Sequence, residues 1–174
     1  MSKKIIVTEP DPILRKKSEK IVKVDDQLRK LMDDMLQTMY EAPGIGLAAV
    51  QIGILKRIVV IDVSREKEKK NPLYLVNPEV TFKSNNTSRH EEGCLSLPGY
   101  FAEVERPAEC SVKYIDYFGK QKNLEAKGLL ATCIQHEVDH LNGILFIDYL
   151  SKLKRDMIIK KLKKNKKEQN KIIL

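Results

Sequence analysis

The sequence predicts an α+β fold, in which mixed or antiparallel strands pack around a central helix. Short β-branched runs alternate with turn signals, and apolar residues at helical spacing recur in three separate segments. The 174 residues are 42% hydrophobic and 32% charged, which is typical of a globular chain with one core. We therefore expect one domain, with residues 1–150 as its body and 151–174 as a basic C-terminal helix or tail.

The first helix is expected in the N-terminal half. Asp25 is a suitable N-cap, and the helix should run to about Ala42, where Pro43 and Gly44 end it. Its apolar residues keep a spacing of three and four, which predicts one face packed inward: Leu28, Leu31, Met32, Met35, Met39 and Tyr40.

Strands are expected in the middle of the chain. The run KRIVVIDV (56–63) predicts a buried strand, and REKEKKNP (65–72) predicts a solvated loop after it. The segments 73–82 and 110–128 predict further strands, the second of them turning back near Gly119.

A second helix is expected from Leu129 to Asn142, with Gly143 as its C-terminal cap. One side of it carries an apolar stripe and the opposite side is polar, with Thr132, Gln135, Asp139 and Asn142. Ser151 could cap a last helix, for which we expect four apolar contacts: Leu153, Met157, Ile158 and Leu162.

The excess of positive charge is confined to the C-terminus. The chain has a net charge of +8, and residues 152–174 alone contain ten Lys or Arg against two Asp or Glu. The body is therefore neutral, and the tail is an interaction element or a solubilising end. It has no aromatic residue for stacking on bases, so sequence-specific nucleic-acid recognition is not expected.

The cellular setting is predicted from what the sequence lacks. No apolar run approaches the length of a membrane span, and the N-terminus has no apolar signal-peptide core. The three cysteines are odd in number and widely spaced, which favours free thiols in the cytoplasm.

The segment CIQHEVDHLNG (133–143) indicates a metal site. His136 and His140 are four residues apart, so they lie on the same face of the predicted helix. Two imidazoles on one rigid face can chelate a divalent ion, and Glu137 is then placed to take a proton from bound water. This would make the second helix a central, metal-binding one.

The third ligand is less obvious from spacing. A metzincin would require histidine where this chain has Phe146, and a thermolysin-like glutamate would have to be Glu168 in the tail. His90, Cys94 and Cys133 remain candidates. Cys94 has the strongest local context, because Gly93 before it permits a close backbone approach.

The glycine-rich segment APGIGLAAVQIG (42–53) matches a dinucleotide-binding pattern by letter only. A helix precedes it, whereas that pattern follows a strand and opens a helix. We interpret it as a close-approach loop leading into a strand, in which Gln51 carries an amide that can donate to an oxyanion.

Together, GIGLAAVQ (44–51), EGCLS (92–96) and QHEVDH (135–140) resemble the three signature segments of the peptide deformylases, in the same order. The resemblance implies a metal-dependent amidase that hydrolyses the N-formyl group of N-formylmethionyl nascent polypeptides and releases formate. It implies Cys94, His136 and His140 as ligands of one divalent ion, with ferrous iron as the native metal and zinc, nickel or cobalt as substitutes.

The resemblance also implies roles for residues around the metal. Glu137 would serve as general base and then acid when bound water attacks the formyl carbon, and Gln51 and the Leu95 N–H would stabilise the oxyanion. Gly46 would bind the substrate backbone, whereas Ile45 and Cys133 would wall the methionine pocket, with Leu95 near its mouth. A charged cluster of the family would correspond to Glu92, Arg106 and Asp139.

The sequence departs from several bacterial relatives at Phe101, where they carry a rim arginine, so contacts at the rim are expected to differ. In such relatives the C-terminal helix is associated with ribosome docking, which the basic tail would suit. Two other hypotheses are a zincin-like peptidase that cleaves internal bonds, and an RNA- or ribosome-binding module whose metal is structural.

Overall fold

The computed structural model describes residues 3–64 and 69–172, and it shows two antiparallel sheets packed around one buried helix. The described strands are β1 (Gly46–Ala48), β2 (Ile58–Ile61), β3 (Leu73–Lys83), β4 (Thr87–Gly93), β5 (Phe101–Pro107), β6 (Glu109–Ile115) and β7 (Gln121–Lys127). The α-helices are α1 (Asp26–Glu41), α2 (Gly128–Leu141) and α3 (Lys152–Ile172). The predicted α+β class is confirmed.

The larger sheet has five strands in the order β1-β2-β3-β6-β7, and each neighbouring pair is antiparallel. The four residues of β2 are all buried, as expected for the β-branched run. The predicted hairpin is formed by β6 and β7, and Gly119 between them has a φ of +82°, a conformation that favours glycine.

The smaller sheet consists of β4 and β5, which pair in register from Thr87↔Pro107 to Gly93↔Phe101. The sequence did not predict these strands. Both are rich in charged residues and bury few side chains, so they lack the apolar alternation that signals a strand.

Helix α1 begins as predicted. The side chain of Asp25 accepts a hydrogen bond from the N–H of Leu28 at 2.8 Å, and the helix ends at Glu41 with Ala42 as C-cap. Its inward face, with Leu28, Met32, Met35 and Met39, packs on the larger sheet.

Helix α2 is packed between the two sheets, and this corrects one prediction. Thr132 and Gln135, expected on a polar outer side, are buried, and Gln135 Nε2 donates to the carbonyls of Pro107 and Ala131. The helix contacts β1 and β7 on one side and β5 on the other, so even polar positions are covered. Gly143, just after the helix, has a φ of +76° and ends it as predicted.

Helix α3 packs on the body through fewer side chains than expected. Ser151 caps it, with Oγ 3.4 Å from the N–H of Lys154. Ile158 and Leu162 pack against a small core beneath it, whereas Leu153 and Met157 are exposed. Those two predicted contacts are wrong, because the helix presents only one narrow face to the body.

Two local predictions have a different outcome. The glycine-rich segment leads into the short strand β1, as interpreted, but a 3-10 helix, Ala49–Ile52, follows it, so Gln51 lies on a helical turn. Of the predicted loop 65–72, residues 65–68 lie outside the described part, and 69–72 have no regular structure. None of the described helices is long and apolar enough to cross a membrane.

Candidate metal centre

The two histidines of α2 point to the same place. The Nε2 atoms of His136 and His140 are 3.2 Å apart, and their rings meet edge to face with centroids 4.9 Å apart. Both side chains are buried, with His140 fully so. Spacing of four residues on one rigid helix therefore brings two nitrogen donors together.

The structure adds Cys94 to this pair. Cys94 follows β4 directly, and a tight turn in which Leu97 N–H donates to its carbonyl directs the chain back toward α2. Its Sγ lies 3.2 Å from His140 Nε2, and the three donor atoms all lie within 4.8 Å of one another.

The other two candidate ligands are not part of this group. His90 lies on β4 and contributes to the wall of the adjacent cavity. Cys133 is buried one turn before His136, and its Sγ is 3.7 Å from the carbonyl oxygen of Ile45. Burial raises the pKa of the Cys133 thiol well above its usual range, so it favours the protonated form.

Glu92 orients His136. Its Oε2 is 2.8 Å from His136 Nδ1, and both groups are buried. Burial alone would raise the pKa of Glu92, but hydrogen bonds from His136 and Arg106 lower it, so the carboxylate accepts the proton on Nδ1. With one proton held on Nδ1, Nε2 is the nitrogen that would give its lone pair to a cation beside Cys94 and His140.

The predicted charged cluster is assembled around Arg106. This buried guanidinium donates to Glu92 through Nε (2.5 Å) and Nη2 (3.0 Å), and to Asp139 through Nη1 (2.8 Å). It therefore joins β5 to β4, which leads into Cys94, and to α2, which carries the two histidines.

Glu137 is held between α2 and β1. Its carboxylate is buried, and Oε2 has no hydrogen-bond partner among the described residues. Burial raises its pKa to about 7, close to the value suited to a group that accepts and returns a proton at neutral pH. Gly46 faces it so closely that a Cβ there would overlap Glu137 Oε1.

The side-chain amide of Gln51 has one orientation. Its Oε1 accepts from the N–H of Ala48 at 2.8 Å, so Nε2 is directed the other way. That nitrogen donates to Ser96 Oγ at 3.1 Å and lies 3.5 Å from Cys94 Sγ. An amide donor therefore lies against the cysteine.

A cavity of about 500 Å³ opens beside these groups. Ile45, Gly46, Leu95 and Cys133 line it, together with Leu129 and Thr132 of α2, which sequence reasoning did not select. Phe101 stands at its rim, 65% exposed and packed over Gly93. The walls are mostly apolar, so the cavity suits an apolar side chain.

The protonation of the two histidines differs. Burial would lower the pKa of His136, but its contacts with Cys94 and Glu92 raise it well above the usual range. Burial, followed by the neighbouring His136, lowers the pKa of His140 well below its usual range. Charge on one imidazole thus suppresses charge on the other.

The donor set fits a divalent transition metal. One sulfur and two imidazole nitrogens converge, and both zinc and ferrous iron accept such ligands. The two Nε2 atoms, 3.2 Å apart, can also both lie at the usual ligand distance of about 2.0–2.1 Å from one shared cation.

Three contacting residues were not identified from the sequence. Ser96 accepts from Gln51, the ring of Phe146 stacks on His136 with centroids 6.2 Å apart, and Tyr149 donates to Asp139. Phe146 was considered only because a metzincin would have histidine at that position. No local spacing relates Tyr149 to the segment 133–143.

Comparison with known proteins identifies the family. Residues 3–156 match the family model described as polypeptide deformylase. The peptide deformylase of Pelagibacter ubique is 62% identical over 174 residues, which cover all of both chains. That of Rhizobium meliloti is 57% identical over 164 residues, which cover 94% of each chain.

Solved structures are similar over nearly the whole chain. A crystal structure of the peptide deformylase from Ehrlichia chaffeensis has a TM-score of 0.91 and 45% identity, covering 97% of this chain and 99% of that one. A second structure of that enzyme is a complex with actinonin, with a TM-score of 0.90, 48% identity and coverage of 95% and 98%. The chain described here therefore belongs to the polypeptide deformylase family, the metal-dependent hydrolases that remove the N-formyl group from nascent polypeptides.

Proposed function

We propose that Cys94, His136 and His140 hold one divalent metal ion, beside which this chain hydrolyses the formyl amide of N-formylmethionyl polypeptides. The observation that carries the proposal is the convergence of three donor atoms within 4.8 Å, next to a buried carboxylate and a directed amide. A closed structural site would have no use for these last two groups.

The native metal is proposed to be ferrous iron, with zinc, nickel or cobalt able to occupy the same ligands. A thiolate and two imidazoles form a donor set that is soft enough for each of these ions. When bound, the ion supplies Lewis acidity and lowers the pKa of a water molecule at its open position.

Glu137 would move the proton. Its pKa of about 7 lets it accept a proton from the attacking water at neutral pH and then deliver that proton to the leaving amine nitrogen. The new carbon–oxygen bond and the broken carbon–nitrogen bond give formate and a free N-terminal amine, so no other reactant is needed.

Two donors would stabilise the oxyanion that forms on the formyl oxygen. The Nε2 of Gln51 is held toward the site by the Ala48 contact, and the N–H of Leu95 follows Cys94 in the chain. Donors that are already oriented lower the barrier because they need no reorganisation during the reaction.

The cavity would take the methionine side chain. Ile45 and Cys133 form its wall, Leu95 lies toward its mouth, and the backbone of Gly46 would bind the peptide backbone of the substrate. Burying an apolar side chain of this size contributes about 1.5–3 kcal/mol, which can favour methionine over smaller residues.

Residues 1–150 would form the catalytic part, and the basic tail 151–174 would belong to the same domain. Ile158 and Leu162 pack against the body, which supports placing the tail in the same domain. We propose that the tail's exposed lysines bind ribosomal RNA phosphates without sequence recognition, and that the chain acts in the cytoplasm.

The direct test is release of formate from formyl-Met-Ala-Ser by protein prepared without oxygen and loaded with iron, nickel or zinc. We expect formate only with metal, none from the acetyl-Met-Ala-Ser control, and competitive inhibition by actinonin. Folded, metal-loaded protein that releases no formate with any of the three ions would contradict the proposal. Cleavage of an internal bond in an unformylated peptide would favour a peptidase.

A further inference from the structure

Tyr149 lies at one end of a continuous chain of hydrogen bonds that ends at His136. Its hydroxyl donates to Asp139 Oδ2 at 2.8 Å, and the same oxygen accepts from Arg106 Nη1 at 2.8 Å. Arg106 in turn donates to both oxygens of Glu92, whose Oε2 is 2.8 Å from His136 Nδ1.

The aromatic ring of Tyr149 also contacts Arg106 directly. The guanidinium of Arg106 lies 4.6 Å above the centre of the Tyr149 ring, within the range of a cation–π interaction. Tyr149 therefore fixes Arg106 from above with its ring and from the side through Asp139.

Tyr149 belongs to a four-residue 3-10 helix, Phe146–Tyr149, that touches His136 in another way as well. The ring of Phe146, which is buried, stacks on the His136 imidazole with an interplanar angle of 23°. This 3-10 helix thus contacts the face of the His136 ring directly through Phe146. It reaches Nδ1 indirectly, from Tyr149 through the chain of hydrogen bonds.

We infer that Tyr149 is a positioning residue, which holds the His136 imidazole in the orientation that metal binding needs. The inference rests on the proposed ligation by His136. Outer groups that orient a ligating histidine typically change metal affinity or activity by about 10–100-fold when removed, and the effect should be smaller at the far end of a chain of contacts.

The protonation states permit this role. Burial, followed by the hydrogen bond to Asp139, raises the pKa of the Tyr149 phenol to about 12, so it donates at every pH at which the enzyme would work. Without that donor, only Arg106 would hold Asp139 Oδ2 in place. The Asp139 carboxylate would then move more freely, and Arg106, which follows it, would be less firmly held on Glu92.

The test compares zinc affinity, by competition with a chromophoric chelator, in the zinc-loaded wild-type chain and in Tyr149→Phe. The substitution keeps the ring above Arg106 and removes only the hydroxyl. We expect zinc affinity to fall about three- to tenfold, with kcat for formyl-Met-Ala-Ser lowered and KM unchanged. Tyr117→Phe is the matched control, because Tyr117 also donates to a carboxylate, Asp33, at 3.0 Å, but outside this cluster.

A double-mutant cycle with Asp139→Asn separates positioning from a general loss of stability. If Tyr149 acts through Asp139, its substitution should cost little further affinity once Asp139 is replaced. Equal losses in both backgrounds, an unchanged zinc affinity in Tyr149→Phe, or an equal loss in Tyr117→Phe would each overturn the inference. If His136→Ala still bound zinc as tightly as wild type, the ligand assignment itself would fail, and this inference with it.

Discussion

The backbone of Gly46 lies against the carboxylate of Glu137, so closely that a Cβ on Gly46 would overlap Oε1 and lie 2.9 Å from Cys133 Sγ. The first residue is on the edge strand β1 and the second is on α2. Glycine at this position therefore lets the strand reach the carboxylate that is proposed to move the proton.

Gly46→Ala should displace Glu137 without removing a metal ligand. We expect formate release to fall at least about tenfold, since small displacements of a proton-transfer group are costly, while zinc stoichiometry stays at one. Gly44→Ala is the control, because its Cβ would meet Leu95 Cδ1 at 2.8 Å and Met39 Cγ at 3.5 Å but not Glu137. Equal losses in the two variants would contradict a specific effect on Glu137.

Glu137→Gln should separate binding from chemistry. The amide keeps the size of the carboxylate but cannot take a proton, so we expect formate release to fall by about 10²–10⁴-fold. Metal content measured by elemental analysis should be unchanged, because Glu137 is not one of the three converging donors. Full activity in this variant would exclude the proposed role.

Arg106→Met should destabilise the fold strongly. It would leave the buried carboxylate of Glu92 and the partly buried one of Asp139 without their common cation, and loss of a partner from a buried ion pair typically costs about 3–5 kcal/mol in the free energy of unfolding. Arg89→Met, on the neighbouring strand β4, removes exposed ion pairs with Glu103 and Glu105 and should cost about 1 kcal/mol or less. Urea unfolding of the two variants, with similar m-values, checks the difference.

Asp62 should make stability depend on acid pH. Burial would raise its pKa, but hydrogen bonds from Ser64, Tyr40 and the N–H of Asn71 lower it below its ordinary value. Its ionised form therefore stabilises the folded state above the unfolded-state pKa of about 4, and this contribution is lost as pH falls through the lower folded-state pKa.

The measurement for Asp62 is the difference in Tm between wild type and Asp62→Asn across pH. We expect wild type to be the more stable at pH 7, and the difference to shrink as the solution is acidified toward pH 3. The exposed Asp156→Asn variant should show little difference at either pH. A difference for Asp62→Asn that does not change with pH would mean that the carboxylate charge is not the cause.

Reversing charges on α3 should affect ribosome binding and not the chemistry. We expect Lys154→Glu, Lys160→Glu, Lys161→Glu and Lys166→Glu together to abolish cosedimentation with ribosomes at low salt and to leave formate release from formyl-Met-Ala-Ser unchanged. A matched variant with Lys83, Lys113, Lys120 and Lys122 reversed has the same net charge, and all eight lysines are exposed. Loss of binding in both variants would indicate a general charge effect.

Local patterns were sufficient for part of this description. The helix caps at Asp25 and Ser151, the buried run within β2 and the turn at Gly119 all follow from interactions within a few residues. The sequence did not predict β4 and β5. These strands are stabilised by pairing with each other, and their charged, half-exposed residues show no alternation of apolar and polar side chains.

Local spacing was enough to put His136, Glu137 and His140 on one helix, because helical periodicity depends only on neighbouring residues. Spacing left His90, Cys94 and Cys133 open, and the family resemblance implied Cys94. The contact itself depends on where the turn after β4 lies against α2, which is a matter of three-dimensional packing. Only the tertiary structure decided that Thr132 is buried and that Tyr149 reaches Asp139. Burial and contacts between distant segments arise from the packing of whole elements, and no short stretch of sequence records them.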